Sequence, residues 1–291
     1  MEISEIWRYP VKSMLGERRE RADVAATGVE GDRAYAVIDR ADGKVASAKN
    51  PRKWRVLLSC VAEFVDEPVP GAGPPPVRIT LPDGTVVTSD DPKIDNVLSD
   101  VVGRPVTLAS TAPQGSTFEE TWPDIDGMAP EEFIDSTRVR TDDGESVSDL
   151  ALGLAAAPGS FFDLAPVHLV TSSSLDELAQ RQPGSRFVVQ RFRPNFVIST
   201  PADGFVENDW VGATLQLGGA ASVSVMMPTM RCVMTTLAQG ELPEDRGVLR
   251  AATDHNRIEI SGLGHWACVG AYASVVTTGA VQVGDELTVT P

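Results

Sequence analysis

The chain has 291 residues, 42% hydrophobic and 23% charged, an ordinary globular composition with length for one large domain or two smaller ones. Its net charge of −16 excludes general nucleic-acid binding, which demands a basic surface, and no apolar run approaches the roughly 20 residues that span a bilayer. The opening "MEISEIWRYPVKSM" lacks the apolar stretch of a signal peptide, and Cys60, Cys232 and Cys268 form no C-x-x-C pair, so a reducing, cytoplasmic setting away from any membrane is expected.

In chain order, "EISEIWRYPV" alternates as a strand, and "RAYAVID" and "KVASA" flank a Gly-containing hairpin loop. "RVLLSCVAEFV", "VRITL" and "TVVT" are further strand candidates, the last two joined by "PDG". "DDPKIDNVLSDVVG" predicts a short helix closed by Gly103, and "RPVTLAS" follows it. Residues 110 to 145 are rich in Pro, Asp, Glu and Thr without a clear period, and read as a boundary or a surface excursion. "VHLV" then predicts a strand, "TSSS" a capped helix start, and "SLDELAQR" the helix. "RFVVQRFRPNFVIST", "ATLQLG" and "ASVSVMMP" are β-rich, "PEDRGVLRAATDHNR" is a second helix, and "ASVVTTGAVQVGDELTVT" ends in strands.

Many short strands and few helices predict a mainly β protein with flanking helices, of the α+β class. Charge divides unevenly: residues 1 to 55 carry 12 Lys/Arg against 9 Asp/Glu, leaving 13 against 32 for the remainder. A small anionic ligand is therefore drawn to the first segment, although plain surface charge explains so mild an imbalance equally well.

Four stretches carry candidate chemistry. In "PTMRCVMTTL" Arg231 adjoins Cys232, and a neighbouring guanidinium lowers a thiol's pKa; a small buried apolar residue is the plainer role for a lone cysteine. Cys60 and Cys268 fit that plainer role. "TSSSL" puts hydroxyls and free N–H groups at a helix start, suited to phosphate or to simple capping. "RFRPNF" as a strand sets Arg191, Arg193 and Asn195 on one face, an anion clamp or the solvated face of an edge strand favoured by Pro194. "YPVKSM" and "GVEGDRAYAV" add Lys12, Ser13 and Arg33. His265 and Cys268, three apart, make too few ligands for a zinc site, and no dinucleotide, P-loop or nucleophile-elbow motif occurs.

"YPVKSM", "GVEGDRAYAVID", "HLVTSSSL", "RFRPNFVI", "RCVMTT" and "GAYASVV" with "VQVGDEL" resemble, in this order, the MOSC proteins that carry an N-terminal β-barrel domain, the family of the amidoxime-reducing components and their bacterial relatives. The resemblance implies an N-terminal barrel-like domain over residues 1 to 110, a connecting segment over 111 to 145, and a MOSC β-barrel over 146 to 291. It implies a molybdenum cofactor (molybdopterin), with Cys232 as metal ligand and catalytic centre. Lys12, Ser13 and Arg33 would hold its phosphate and pterin, with Thr171, Ser172 and Ser173, Arg193 and Asn195, Thr229 and Arg231, and Tyr272 adding contacts. The activity implied is reduction of small N-hydroxylated or N-oxide compounds by oxygen-atom transfer. The chain lacks the ferredoxin-like cysteine cluster of some bacterial members, so an external electron-donor protein is expected, and no membrane-directing N-terminus like that of the mitochondrial form is expected. A sulfur or cofactor carrier using Cys232, or a binding module without cofactor, are the alternatives.

Overall fold

Residues 1–290 are described by the computed structural model. The alternation of the first strand, Glu2–Arg8, buries Ile3 and Ile6, and this strand pairs antiparallel with Phe196–Ser199 from the far half of the chain. The main sheet runs from Glu17–Arg19 through Glu2–Arg8, Phe196–Ser199, Val167–Thr171, Gly264–Thr277, Ala221–Met230 and Thr214–Leu217 to Leu287–Thr290, with Arg257–Ile260 pairing on Gly264–Thr277. Arg21–Ala25 likewise sits between Gly279–Gln282 and Gly28–Val29. The first 29 residues thus complete the β structure of the C-terminal half. Ile3, Ile6, Leu169, Phe196, Ile198, Leu215 and Val223 form its core.

A second core gathers Val11, Met14, Val37, Trp54, Leu57, Ile79 and Leu98. Around it lie the sheet Val61–Phe64, Val77–Thr80 and Val86–Thr88, the pair Ala36–Asp39 and Val106–Ala109, and the helix Ile94–Val102. Gly103 ends that helix with φ 71°, the left-handed cap its sequence predicts. The protein is mainly β with a few helices, as composition and turn spacing indicate. Among the described residues no helix is long and apolar enough to cross a membrane.

Three stretches differ from their sequence reading. Arg55–Ser59, expected as strand, is a 3-10 helix behind the Pro51–Trp54 turn, and only Val61–Phe64 is extended. A short apolar run buries itself in either state, and Pro51 at the helix start tips the choice. "RFRPNF" is not one strand. Val189–Phe192 is a helical turn, Arg193 is left-handed at φ 55°, and Phe196–Ser199 lies inside the sheet, not at its edge. Pro194 precedes the ladder, so it places no demand on edge position.

The aperiodic stretch also folds: Thr117–Trp122, Glu145–Ala151 and Arg138–Asp142 form a three-stranded sheet beside the helix Glu131–Thr137. Its period is hidden because its buried positions are charged. Glu119 is buried yet held by Arg140 Nη2 at 2.9 Å, Lys53 Nζ at 2.8 Å and Asn50 Nδ2 at 2.8 Å. Asp143 and Gly144, both at positive φ, make the hairpin turn.

Gly270 shows how tightly the central strand is packed. At φ 83°, an added Cβ would lie 2.7 Å from His168 Nε2 and 2.8 Å from Val170 Cγ2, and would strike the Leu169 carbonyl. Gly270→Ala is expected to destabilise the protein by about 2–3 kcal/mol through overpacking and backbone strain, read as a lower urea midpoint.

Candidate cofactor site

Where the two halves meet, a cavity is lined by Lys12, Ser13 and Arg33 from the first half and by Arg193, Arg231, Cys232 and Tyr272 from the second. Lys49, Arg191 and Asp163 complete its charged lining, six cations facing one carboxylate in a chain of net charge −16. Such an enclosed excess of positive charge favours an anion.

The backbone bends unusually to build it. Among the described residues four non-glycine residues have positive φ, and three of them, Ser13 at 66°, Arg33 at 47° and Arg193 at 55°, line this cavity. Each left-handed residue costs about 1–2 kcal/mol, a cost that the surrounding packing sustains and that concentrates at functional sites. The Arg193 turn is held from both sides. Arg33 Nη2 donates to the Arg193 carbonyl at 3.1 Å. Arg231 donates to His168 Nε2, which leaves the His168 proton on Nδ1, facing the same carbonyl at 3.4 Å. Burial, reinforced by Arg231, holds the His168 pKa well below its usual value, so the ring is neutral.

The cations differ in what engages them. Arg191 donates to the carbonyls of Thr235 at 3.0 Å, Leu237 at 3.2 Å and Pro243 at 2.7 Å, and so ties the loop after Cys232 to the Val189–Phe192 turn. Arg231 Nε donates to Val269 O at 2.8 Å and Nη1 to Phe192 O at 3.2 Å. Lys12 donates to Phe161 O at 2.9 Å and pairs with Asp163, while Arg33 pairs with Asp32. Arg193 alone has both terminal nitrogens, Nη1 and Nη2, buried without a partner. Its guanidinium lies 4.2 Å from the Tyr9 ring centroid, with Arg33 at 4.5 Å from the same ring. Burial and the Arg33 charge push its pKa down to about 10. A buried guanidinium without acceptors is costly, and an anionic ligand supplies what it lacks.

Cys232 sits at the N-terminal end of the 3-10 turn Val233–Thr236, partly exposed on the cavity wall. The activation expected from Arg231 is outweighed by burial. That guanidinium is engaged by carbonyls and His168, and burial pushes the thiol up to about 11, against a smaller opposing pull from Lys49. The side chain is a protonated thiol at neutral pH, and a soft metal would have to displace the proton to bind. Cys60 and Cys268 are fully buried in the apolar cores.

Other predicted residues lie elsewhere. Thr171, Ser172, Ser173 and Thr229 do not line the cavity. The helix start at Thr171 is already occupied by an internal carboxyl group: Glu207, fully buried, accepts from Thr171 Oγ1 and Ser174 Oγ at 2.6 Å and from Gly270 N at 3.0 Å. Ser172 Oγ accepts from Thr200 N at 3.4 Å, and the Thr229 hydroxyl is buried without a partner. Asn195 lines the cavity but braces it, donating to Asp32 at 2.9 Å and accepting from His168 N at 3.0 Å. Ser13 Oγ accepts from Ala48 N at 3.0 Å.

Sequence reasoning passed over Lys49, Asp163, Asp32 and His168. Tyr9 in "YPVKS", Asp32 in "GVEGDRAYAV" and His168 in "HLVTSSSL" stood in quoted motifs without being named for the site. Asp163 is held well below the usual carboxylate range because Lys12 and Lys49 outweigh its burial. A depressed carboxylate contributes stability above its unfolded pKa of about 4 and loses it as pH falls through the folded value. Acidification from pH 5 to pH 2 is therefore expected to lower the unfolding free energy, and Asp163→Asn should flatten that slope in urea titrations.

Comparison with known families matches residues 158–288 to the MOSC domain and residues 1–70 to the MOSC N-terminal beta barrel domain. The chain belongs to the MOSC-domain family. This MOSC-domain chain is 25% identical to mitochondrial amidoxime reducing component 2 of Bos taurus over 98% of its length and 82% of that protein's. It is 23% identical to mitochondrial amidoxime-reducing component 1 of Homo sapiens, with the same coverage. Among solved structures, the YUAD protein from Bacillus subtilis is 12% identical at a TM-score of 0.45, over 99% of this chain and 94% of that one.

Proposed function

We propose that this MOSC-domain chain binds a molybdenum cofactor in the cationic cavity, with Cys232 as the protein's ligand to the metal, and reduces small N-hydroxylated compounds with electrons from a separate protein. The observation that carries the reading is the pair of unpartnered, buried Arg193 nitrogens on the same cavity as Cys232. An anionic pterin phosphate supplies the acceptors those nitrogens lack, and a soft metal accepts a sulfur ligand. The relatives named for amidoxime reduction support the activity.

The bound group would supply two-electron oxygen-atom transfer, the chemistry no side chain here provides. The chain's own residues orient and enclose it. Arg193 and Arg33, stacked on Tyr9, and Lys12, steadied by Asp163, would hold the phosphate and pterin. Arg231 and His168 keep the Arg193 turn and the Cys232 turn in fixed relation. Tyr272, whose pKa burial raises, offers a neutral hydroxyl beside the thiol. Reduction of an N–OH group to N–H releases water and consumes two electrons and two protons; the electrons require an external donor protein. The sulfur-carrier alternative needs a reactive thiolate at neutral pH, and a thiol pushed up to about 11 weighs against it.

Protein made in a cofactor-competent host should contain molybdenum and pterin near one equivalent, and should turn over a hydroxylamine-type substrate with a chemical reductant. Protein without molybdenum overturns the reading. Retained cofactor without turnover points to cofactor carriage instead.

A further inference from the structure

Among the described residues three carboxylates pair with the cations of the cavity: Asp32 with Arg33, Glu120 with Lys49, and Asp163 with both Lys12 and Lys49. Two of them are fixed in place. Asp32 is buried and also accepts from Tyr9 N at 2.8 Å and from Asn195 Nδ2 at 2.9 Å, so it belongs to the frame of the site. Glu120 is buried on the strand Thr117–Trp122 and accepts from Lys49 Nζ at 2.9 Å.

Asp163 is held differently. It lies on the connection between Glu145–Ala151 and Val167–Thr171, outside any helix or strand, and its side chain is 26% exposed, so water reaches it. Among the described residues its carboxylate accepts from no backbone N–H, amide or hydroxyl; Lys12, and Lys49 at 3.5 Å, are its partners. The backbone beneath it is anchored. Phe161 and Phe162 are buried just before it, Gly153 N donates to its carbonyl at 3.1 Å, and Ala155 N donates to the Leu164 carbonyl at 2.9 Å. A change of partner at Asp163 therefore needs only a side-chain rotation.

Lys12 is the other half of the pair. Its ammonium is buried and donates to the Phe161 carbonyl at 2.9 Å, and Asp163 is its one ion-pair partner among the described residues. Burial pulls the Lys12 pKa down, and Asp163 opposes that pull. A buried ammonium keeps its charge only beside an anion, so whatever displaces Asp163 must itself be anionic. Lys49 keeps Glu120 when Asp163 turns away.

We propose that Asp163 is a built-in competitor for Lys12: it steadies the ammonium, withholds it from a free phosphate ion, and yields it to a phosphate ester whose remaining groups are bound elsewhere on the cavity wall, Arg193 among them. The inference rests on the proposed reading of the cavity as the site of a phosphate-bearing cofactor. A free phosphate that takes Lys12 leaves a displaced carboxylate beside it, like charge against like charge. An ester offsets that repulsion with acceptors for the two unpartnered Arg193 nitrogens on the same cavity. Asp163 is thus a specificity-determining residue, and its removal should strengthen anion binding, the opposite of what a residue that only steadies Lys12 would do.

The test measures binding of inorganic phosphate to cofactor-free protein, by calorimetry and by the rise in urea midpoint that a bound ligand produces. Beside it stand the pterin and molybdenum contents of the same proteins made in a cofactor-competent host. Asp163→Asn is expected to bind phosphate at least tenfold more tightly than wild type and to keep at least the wild-type cofactor content. Asp163→Ser should do the same, which covers the case of an asparagine variant that does not fold. Glu120→Gln removes a carboxylate outside ion-pair distance of Lys12 and should change the phosphate Kd less than threefold. A phosphate Kd unchanged by both Asp163 variants, an equal gain from Glu120→Gln, or a cofactor content that falls in both Asp163 variants overturns the inference. Tighter phosphate binding by the variants of a chain that takes up no molybdenum upholds the competition and sinks the cofactor reading, whereas molybdenum uptake without that gain sinks the competition alone.

Discussion

Cys232→Ser is expected to leave less than a tenth of the wild-type molybdenum in purified protein while changing the unfolding free energy of the cofactor-free chain by under about 1 kcal/mol. The side chain is partly exposed on the cavity wall and only borders the small cluster of Ala48, Leu58, Val233, Met234 and Leu237, so removing its sulfur opens little space. A hydroxyl is a hard, weakly acidic donor and a poor replacement for sulfur on a soft metal. The two other cysteines serve as controls of opposite sign. Cys60→Ala and Cys268→Ala each empty part of a closed core and should cost about 1–2 kcal/mol while molybdenum content holds. Elemental analysis beside urea unfolding separates the cases, and a metal content unchanged by the serine would remove Cys232 from the metal.

Arg193→Met is expected to stabilise the cofactor-free protein by about 1–2 kcal/mol and to lower cofactor retention at least tenfold. The arginine is buried with both terminal nitrogens unpartnered, next to a second cation, Arg33. Removing an unpaired buried charge relieves its desolvation cost, while a methionine keeps length and contact with the Tyr9 ring. The left-handed backbone at this position is unaffected, since neither residue is glycine. A structural arginine would behave otherwise: Arg191, with four carbonyl acceptors on Arg186, Thr235, Leu237 and Pro243, should lose stability on the same substitution. Denaturation midpoints of cofactor-free protein together with pterin content decide between the two. A loss of stability in Arg193→Met, with pterin retained, would show an arginine that merely packs.

Much of the fold is legible in the residues because local chemistry carries it. Gly103 after "NVLSDVV", Thr171 before "SSSLDELAQR" and the "PDG" between two strands each specify their structure within a few residues. Local signals fail where burial and polarity part company. The strand Thr117–Trp122 buries two glutamates, so its alternation of Phe118, Glu120 and Trp122 looked like a polar excursion, and "RFRPN" bends left-handed because Arg33 and His168 grip its carbonyl from outside.

The same division runs through the candidate site. By itself the sequence determined which segments bear cations, that a lone cysteine follows an arginine in a turn, and the order of motifs that marks the family. Tertiary structure decided what those groups face. It tied Arg231 to backbone carbonyls and His168, filled the Thr171 helix start with Glu207, left Arg193 without acceptors, and brought Lys12 to Asp163 across 151 residues of chain. Charge and turn propensity belong to a residue and its neighbours, whereas desolvation and pairing belong to whatever the folded chain sets against it.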